Sequence, residues 1–563
     1  MFMHIHKLVS VCIVTALCLV SCGEKSTTKS IARPTGDTLI FHEILVDPDG
    51  NILPWFSDDP AIAYDNALNS IWNFWDTMKV DLNGLPYYMN HLAWSPDVFI
   101  DRGIGGDQMA MMLSSWQLWY QYSGITRVLE NMHFIADYYL SHSLSPKDCL
   151  WPNLPFPQNT CQYSGIYDGD MILGPGYLQP DKAGSFGWEL YRMYRITRLE
   201  PQRSVYLNAA KDIANTLARN IRPADNDHSP WPFKVNAFTG VGGDERTYDY
   251  VNKVGTSEYT TNYAPTLELF HALIKEGSGE TELYREAVRQ VTDWMTEYPV
   301  KTNKWGPFFE DIPAWSDTQI NAVTWAQYLM SHKEEADPLW KEHARQILNW
   351  SFDTFHLPDW EKYGVSAIVE QTAYRIPGNS HTSREACAEL QYAAITGDCS
   401  RVDEAIRQLN WATYMVNEKG WNRYPLDDIW FTDGYGDYVR HYLRAMAAKP
   451  DLAPAESHIL ASNGIKRVEY TMQDGFNHVY YEAVEPSGIE IVRLSSKPKV
   501  IWKVNNRRSI IFPDHITHDD AMVTFEEGEA APGASLSWTW TECKKGGYVT
   551  INRADALIVE IKN

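Results

Sequence analysis

Five times along this chain of 563 residues an amphipathic helical pattern runs into an aromatic loop, after which a second helical pattern begins. The loops are Trp151-Pro152-Asn153-Leu154-Pro155-Phe156, Trp231-Pro232-Phe233, Trp305-Gly306-Pro307-Phe308-Phe309, the weaker Tyr363-Gly364, and Trp421-Asn422-Arg423-Tyr424-Pro425. A recurring supersecondary unit cannot bury its apolar face alone, so the chain is restricted to a stacked or closed array. The loops at one end of every unit then gather on one face, where binding is expected.

The helical patterns define the units. Met109, Met112, Leu113, Trp116, Trp119 and Tyr120 recur at i, i+3, i+4 spacing, as do Tyr206, Ala210, Ile213 and Leu217, and Tyr284, Ala287, Val291 and Met295. Pairs are predicted at 107–122 with 127–142, 185–199 with 204–220, 261–275 with 281–298, 318–331 with 340–355, and 382–396 with 402–418. Single helices near 61–79 and 434–448 can pair with each other and close a ring. The expected fold is mainly α, an (α/α)6 toroid, or (α/α)7 if the loops hide another hairpin. In such a ring the first helix of each pair lines the inside. The long loops lead into inner-helix N-termini, whose unpaired N–H groups favour anions.

After Pro450 the pattern changes to period two, as in Ile489–Leu494, Leu536–Thr541 and Leu557–Ile561, with a turn at Lys545-Gly546-Gly547. Residues 456–563 therefore read as an antiparallel β-sandwich. At the other end Lys7 precedes an apolar run, and Leu19-Val20-Ser21-Cys22 has the form of a bacterial lipobox. The expected layout is a signal peptide at 1–21, a tether at 22–36, the toroid at 37–455 and the sandwich at 456–563, with Cys22 lipidated. Such a protein is held in the cell envelope by a lipid anchor, at the periplasmic or surface face of an outer membrane. No later apolar run reaches the roughly 18 residues of a membrane helix.

A net charge of −23 argues against nucleic acid and anionic membrane surfaces as partners, so an anionic substrate needs a local cluster of Arg and Lys. Rings from 22 Trp and 32 Tyr can stack on sugar faces or fill the core. Cys149 and Cys161 are spaced to close a loop at the foot of the Trp151 motif, and no Cys-x-x-Cys suggests zinc. Gly103-Ile104-Gly105-Gly106-Asp107 lacks the Lys-Ser or Lys-Thr of a phosphate loop.

Two chemistries fit the polar residues near the loops. An inverting glycosidase needs two carboxylates roughly 6.5–9.5 Å apart, and Asp168, Asp170, Asp311, Asp433 and Asp437 are candidates. β-Elimination on a uronic acid needs a group that neutralises the carboxylate, a base for the C5 proton and an acid for the departing oxygen. Arg384, Arg423 or Asn379 can serve the first role, and His381, Tyr263 and Tyr435 the others. His91 is a further candidate facing the ring centre. Trp151, Trp231, Trp305 and Trp421 are expected to bind sugar. No cofactor is required; Asp168 with Asp170, or Asp427 with Asp428, could hold a structural Ca²⁺ or Mg²⁺.

The lipobox, the ring with Trp-Pro-Phe loops and the terminal sandwich together resemble exported Bacteroidetes enzymes that degrade acidic polysaccharides. The layout is similar to the toroid-plus-sandwich polysaccharide lyases and to the oligosaccharide dehydratases of ulvan degradation. The resemblance implies a carbon–oxygen lyase acting on an acidic oligosaccharide, as an exo-lyase or a non-reducing-end dehydratase. It also implies a catalytic set of Asn379, His381, Tyr263 and Arg384. The alternatives are a glycoside hydrolase on acidic glycans and a surface glycan-binding lipoprotein without catalysis.

Overall fold

The computed structural model describes residues 32–562 except 81–83, 90–105, 159–165, 171, 198–203, 244–247, 250–253, 310–314, 424–436, 474–475, 486, 499, 505–522, 526–535 and 554–557. Among the described residues, twelve helices build the ring: α1 (Pro60–Asp76), α2 (Gly106–Ser123), α3 (Thr126–His142), α4 (Pro180–Thr197), α5 (Ser204–Arg219), α6 (Ala264–Glu276), α7 (Thr281–Glu297), α8 (Gln319–His332), α9 (Trp340–Phe355), α10 (Asn379–Thr396), α11 (Val402–Thr413) and α12 (Val439–Ala448). The even-numbered helices are the inner ones, and each packs on the next until α12 returns to α2. The ring is therefore an (α/α)6 toroid, with α1 as the outer partner of α12 through the edge-to-face contact of Tyr64 with Tyr442, 4.9 Å between centroids.

Inner and outer helices differ in the way their position requires. The outer α5 buries Tyr206, Ala210, Ile213, Ala214, Thr216, Leu217 and Ala218 and leaves its other side to solvent, whereas every residue of α10 from Asn379 to Leu390 is buried. A helix enclosed on all sides has no polar face to give to solvent. Gly184 shows how closely the inner helices approach, since a Cβ there would lie 1.9 Å from Thr266 Oγ1 of α6.

A hairpin of β1 (Arg33–Leu39) and β2 (His42–Val46) precedes the ring, so the end of the expected tether is already ordered strand. The C-terminal region forms two antiparallel sheets from β3 (His458–Ala461), β4 (Ile465–Gln473), β5 (Phe476–Ala483), β6 (Ile489–Leu494), β7 (Val500–Val504), β8 (Val523–Phe525), β9 (Leu536–Glu542), β10 (Gly547–Arg553) and β11 (Ile558–Lys562). Their orders are β3-β6-β10-β9 and β4-β5-β11-β7-β8. The sandwich docks on the C-terminal ends of α2 and α4: Ser462 Oγ donates to Gln121 Oε1 at 2.7 Å, and Arg195 pairs with Glu485 at 3.1 Å. Among the described residues no helix is long and apolar enough to cross a membrane. Cys149 carries a free thiol, and Cys161 lies outside the described residues.

Candidate functional site

The N-terminal turns of the inner helices carry a layer of buried polar side chains, richest at α10 and α12. Gly378 precedes α10 with extended backbone and no capping side chain. Asn379 partly fills that role by accepting from the Ser380 N–H at 2.9 Å, and its amide donates to Asn422 Oδ1 at 2.6 Å. One turn on, the Arg384 Nη1–H donates to Gln319 Oε1 at 2.6 Å, and Nη2 reaches Asp437. Arg440 pairs with the other oxygen of Asp437. One buried carboxylate thus joins two guanidinium groups from neighbouring helices.

Burial would raise the Asp437 carboxyl, but Arg384 and Arg440 hold it well below the usual carboxylate range. Such a group cannot act as a glycosidase acid. His441 lies beside it, with Nε2 3.9 Å from Asp437 Oδ1 and Nδ1 3.2 Å from Ser383 Oγ. His381 Nδ1 is 3.2 Å from Ser380 Oγ. Burial, with Arg384 alongside, pushes the His381 imidazole well below its ordinary value, and burial does the same to His441 against the pull of Asp437. Both rings are neutral at pH 7. Glu385 accepts from Gln319 Nε2 at 2.9 Å and Ser351 Oγ at 2.8 Å, and burial next to Glu389 pushes it up to about 7.

Arg440 and His441 face a cavity of about 530 Å³ that runs down the axis of the ring to Ser462–Ile465 of the sandwich. Its other end is crossed by a plug. Phe308 packs with Met111 of α2 and Ile320 of α8, helices that stand opposite each other in the ring. The loop is fixed there because Lys182 Nζ donates to the Phe308 carbonyl at 2.9 Å and Thr260 Oγ1 to that of Pro307 at 2.8 Å.

Several expected site residues lie elsewhere. Tyr263 is fully buried, donates its hydroxyl to the Trp231 carbonyl at 2.8 Å and packs edge-on to Trp231 and Trp294; it is a core tyrosine rather than a base. Trp231 and Trp305 are 1 % and 0 % exposed, so neither offers a face to a sugar. Their rings are wedges between inner and outer helices, with Trp231 Nε1 donating to Leu217 O at 2.7 Å. Trp151 is buried against the Ala237 segment. Half-buried Trp421 packs on Phe74 of α1, on the outer wall. Arg423 is half-buried after the same loop, and its N–H donates to Met415 O at 3.0 Å. Asp170 is ion-paired with Lys234 at 3.3 Å, while Asp168 is exposed, so the two do not form a cation site. Tyr435, Cys22, His91, Asp311, Asp427, Asp428 and Asp433 lie outside the described residues.

Asn379, His381 and Arg384 lie together in the opening turns of α10, where Asn379 meets Asn422, His381 meets Ser380, and Arg384 shares Asp437 with Arg440. The spacing Asp437, Arg440, His441 at i, i+3, i+4 already puts these three on one helical face and could have singled them out.

No family model matches the sequence, and no curated protein matches it either. Among solved structures, the fold is similar to a sugar epimerase from a ruminal bacterium, with TM-score 0.51 and 11 % identity over 68 % of this chain and 98 % of that one. It is also similar to cellobiose 2-epimerase from Bacillus thermoamylovorans, with TM-score 0.52 and 13 % identity over 69 % of this chain and 98 % of that one. At these identities the likeness is one of fold, an (α/α) toroid shared with sugar-processing proteins.

Proposed function

We propose that this chain is a carbohydrate-active enzyme that removes a proton from a carbon beside a carboxylate, acting as a carbon–oxygen lyase on uronic-acid-containing oligo- or polysaccharides. One observation carries the reading: two imidazoles held neutral by burial stand beside two guanidinium groups, and one of each, His441 and Arg440, lines the axial cavity. A neutral imidazole can accept a proton, and a guanidinium can hold the carboxylate whose negative charge grows as that proton leaves. His441, which faces the cavity, takes the C5 proton; the C4–C5 double bond forms as the C4–O bond breaks, and the departing oxygen takes a proton from the imidazolium so formed, which restores His441. A bound carboxylate also offsets the nearby guanidinium charge, raising the basicity of His381 and His441. We propose further that Cys22 is lipidated and anchors the enzyme in the cell envelope.

A second reading draws on the same pair of imidazoles. Removal of a proton next to a carbonyl and its return on either face is epimerisation or isomerisation, the activity named for both similar structures. Incubation in D₂O with uronate oligosaccharides and, separately, neutral disaccharides separates the readings. An ultraviolet-absorbing product identifies elimination, and its mass distinguishes cleavage from loss of water alone. An isobaric product gaining one deuterium on carbon identifies epimerisation. Cleavage with water added and no carbon-bound deuterium would refute proton abstraction, and absence of any product would favour a binding protein. His441→Ala is expected to lower turnover by about 10²–10⁴.

A further inference from the structure

Among the described residues, the wall of the axial cavity carries one guanidinium that no carboxylate contacts. Arg192 is matched by Glu189 at 3.0 Å, Arg195 by Glu485 at 3.1 Å and Arg440 by Asp437. Glu268, also on the wall, is held by His332 Nε2 at 2.8 Å. Arg444 lines the same cavity and, among the described residues, makes no hydrogen bond or direct ion pair; it feels Glu189, already held by Arg192, only at longer range. Burial and the neighbouring Arg440 push its guanidinium down to about 10, which leaves it charged at neutral pH.

Two more donors on this wall lack acceptors. Arg440 Nε and Ser114 Oγ are buried with no hydrogen-bond partner, and Ser114 is 2 % exposed. Ser114 belongs to α2, which packs beside α12, while Arg440 and Arg444 are one helical turn apart, about 6 Å along the axis. Buried donors are ordinarily satisfied, and buried guanidinium groups ordinarily paired. Water could accept the hydrogen bonds but would not neutralise the charge.

We propose that the axial cavity is an oxyanion site, in which Arg444, Arg440 Nε and Ser114 Oγ hold a carboxylate or sulfate group. The charge-assisted contacts of a guanidinium suit planar carboxylates and tetrahedral sulfates alike. The oxyanion is either a free inorganic ion or the acidic group of a glycan. The site shares Arg440 and the cavity with the reaction proposed above, but its test reads binding alone and not turnover.

The test is binding to the full chain, read by calorimetric titration and thermal unfolding, with sodium sulfate and sodium glucuronate each compared with sodium chloride at matched ionic strength. At least one oxyanion is expected to raise the unfolding midpoint beyond chloride, with affinity at least tenfold weaker in Arg444→Gln and partly retained in Arg444→Lys. Binding of sulfate alone identifies a free ion; binding of glucuronate, alone or in competition with sulfate, identifies a glycan acid. No oxyanion-specific effect in the unsubstituted protein overturns the proposal, as does an undiminished effect in Arg444→Gln. Without anion, Arg444→Gln is expected to melt no lower than the unsubstituted protein, because it removes a half-buried cation that makes no direct ion pair and is repelled by Arg440. A lower midpoint would make Arg444 a structural residue and also overturn the site.

Discussion

Asp437→Asn keeps the shape of the side chain and removes the charge that two guanidinium groups share. Breaking a buried ion pair at one partner costs roughly 3–5 kcal/mol, because the other charge stays buried. The two arginines are not equally exposed to this loss. Arg384, 4 % exposed, retains its 2.6 Å bond to Gln319, while Arg440, 16 % exposed, borders the cavity. Both circumstances soften the penalty, so about 3 kcal/mol is expected, measured as the loss in unfolding free energy by urea titration followed through tryptophan fluorescence. The pH dependence has a definite sign. Because the folded carboxyl is held below its unfolded value, its contribution is fully present above about pH 4 and is lost as pH falls through the folded value. The difference between Asp437→Asn and the unsubstituted protein should be constant from pH 5 to 8 and shrink in stronger acid. A difference under about 1 kcal/mol at pH 7 would mean that the buried triad does not hold α10 to α12.

The other predictions concern different parts of the ring. Glu385 has a folded value of about 7, above its unfolded value, so its ionisation opposes folding and stability should fall between about pH 4.5 and 7; Glu385→Gln should abolish roughly 3 kcal/mol of that decline in urea titrations at each pH. Phe308→Ala is expected to cost about 3 kcal/mol, and a double-mutant cycle with Met111→Ala should give a coupling of at least roughly 0.5 kcal/mol; strict additivity would mean that the two do not form a plug. Trp231→Ala should lower stability by about 3–5 kcal/mol while leaving KM unchanged in the folded fraction, and a change in KM alone would return Trp231 to the binding surface.

The ring was legible because helical periodicity is a local signal that survives even where the helix is wholly enclosed. The spans of α2 and α3 agree with expectation to within a residue, and the pairing of the first and last helices followed from each lacking a neighbour. The aromatic loops were misread in function because Trp-Pro-Phe does not say which way the rings point. Trp231 and Trp305 turn inward, where indole fills the gap between helix layers. The site at α10 was partly legible, since a helix opening on Asn379, Ser380 and His381 has no apolar face to bury and so must meet other polar groups. What remained hidden is non-local: Asp437 binds Arg384 across 53 residues, and Phe308 meets Met111 only once the ring is closed.

Closure has a consequence for how this molecule can be made. The outer partner of the last inner helix is the first helix of the ring, and its contacts reach far ahead in the chain: Tyr64 bonds Asn410 across 346 positions, and His42 bonds Val416 across 374. A chain emerging from its N-terminus therefore forms an open horseshoe that cannot shut until α12 has been made: α1 can pack early on α2 through Trp72, Trp75 and Trp116, but its Tyr64 side stays uncovered until α11 and α12 exist. The sandwich arrives last and fastens across this join, with Lys545 Nζ reaching Asp59, the N-cap of α1, at 2.5 Å. The terminal domain thus acts as a clasp, so its removal should weaken the join between the two ends of the ring before it weakens any helical hairpin.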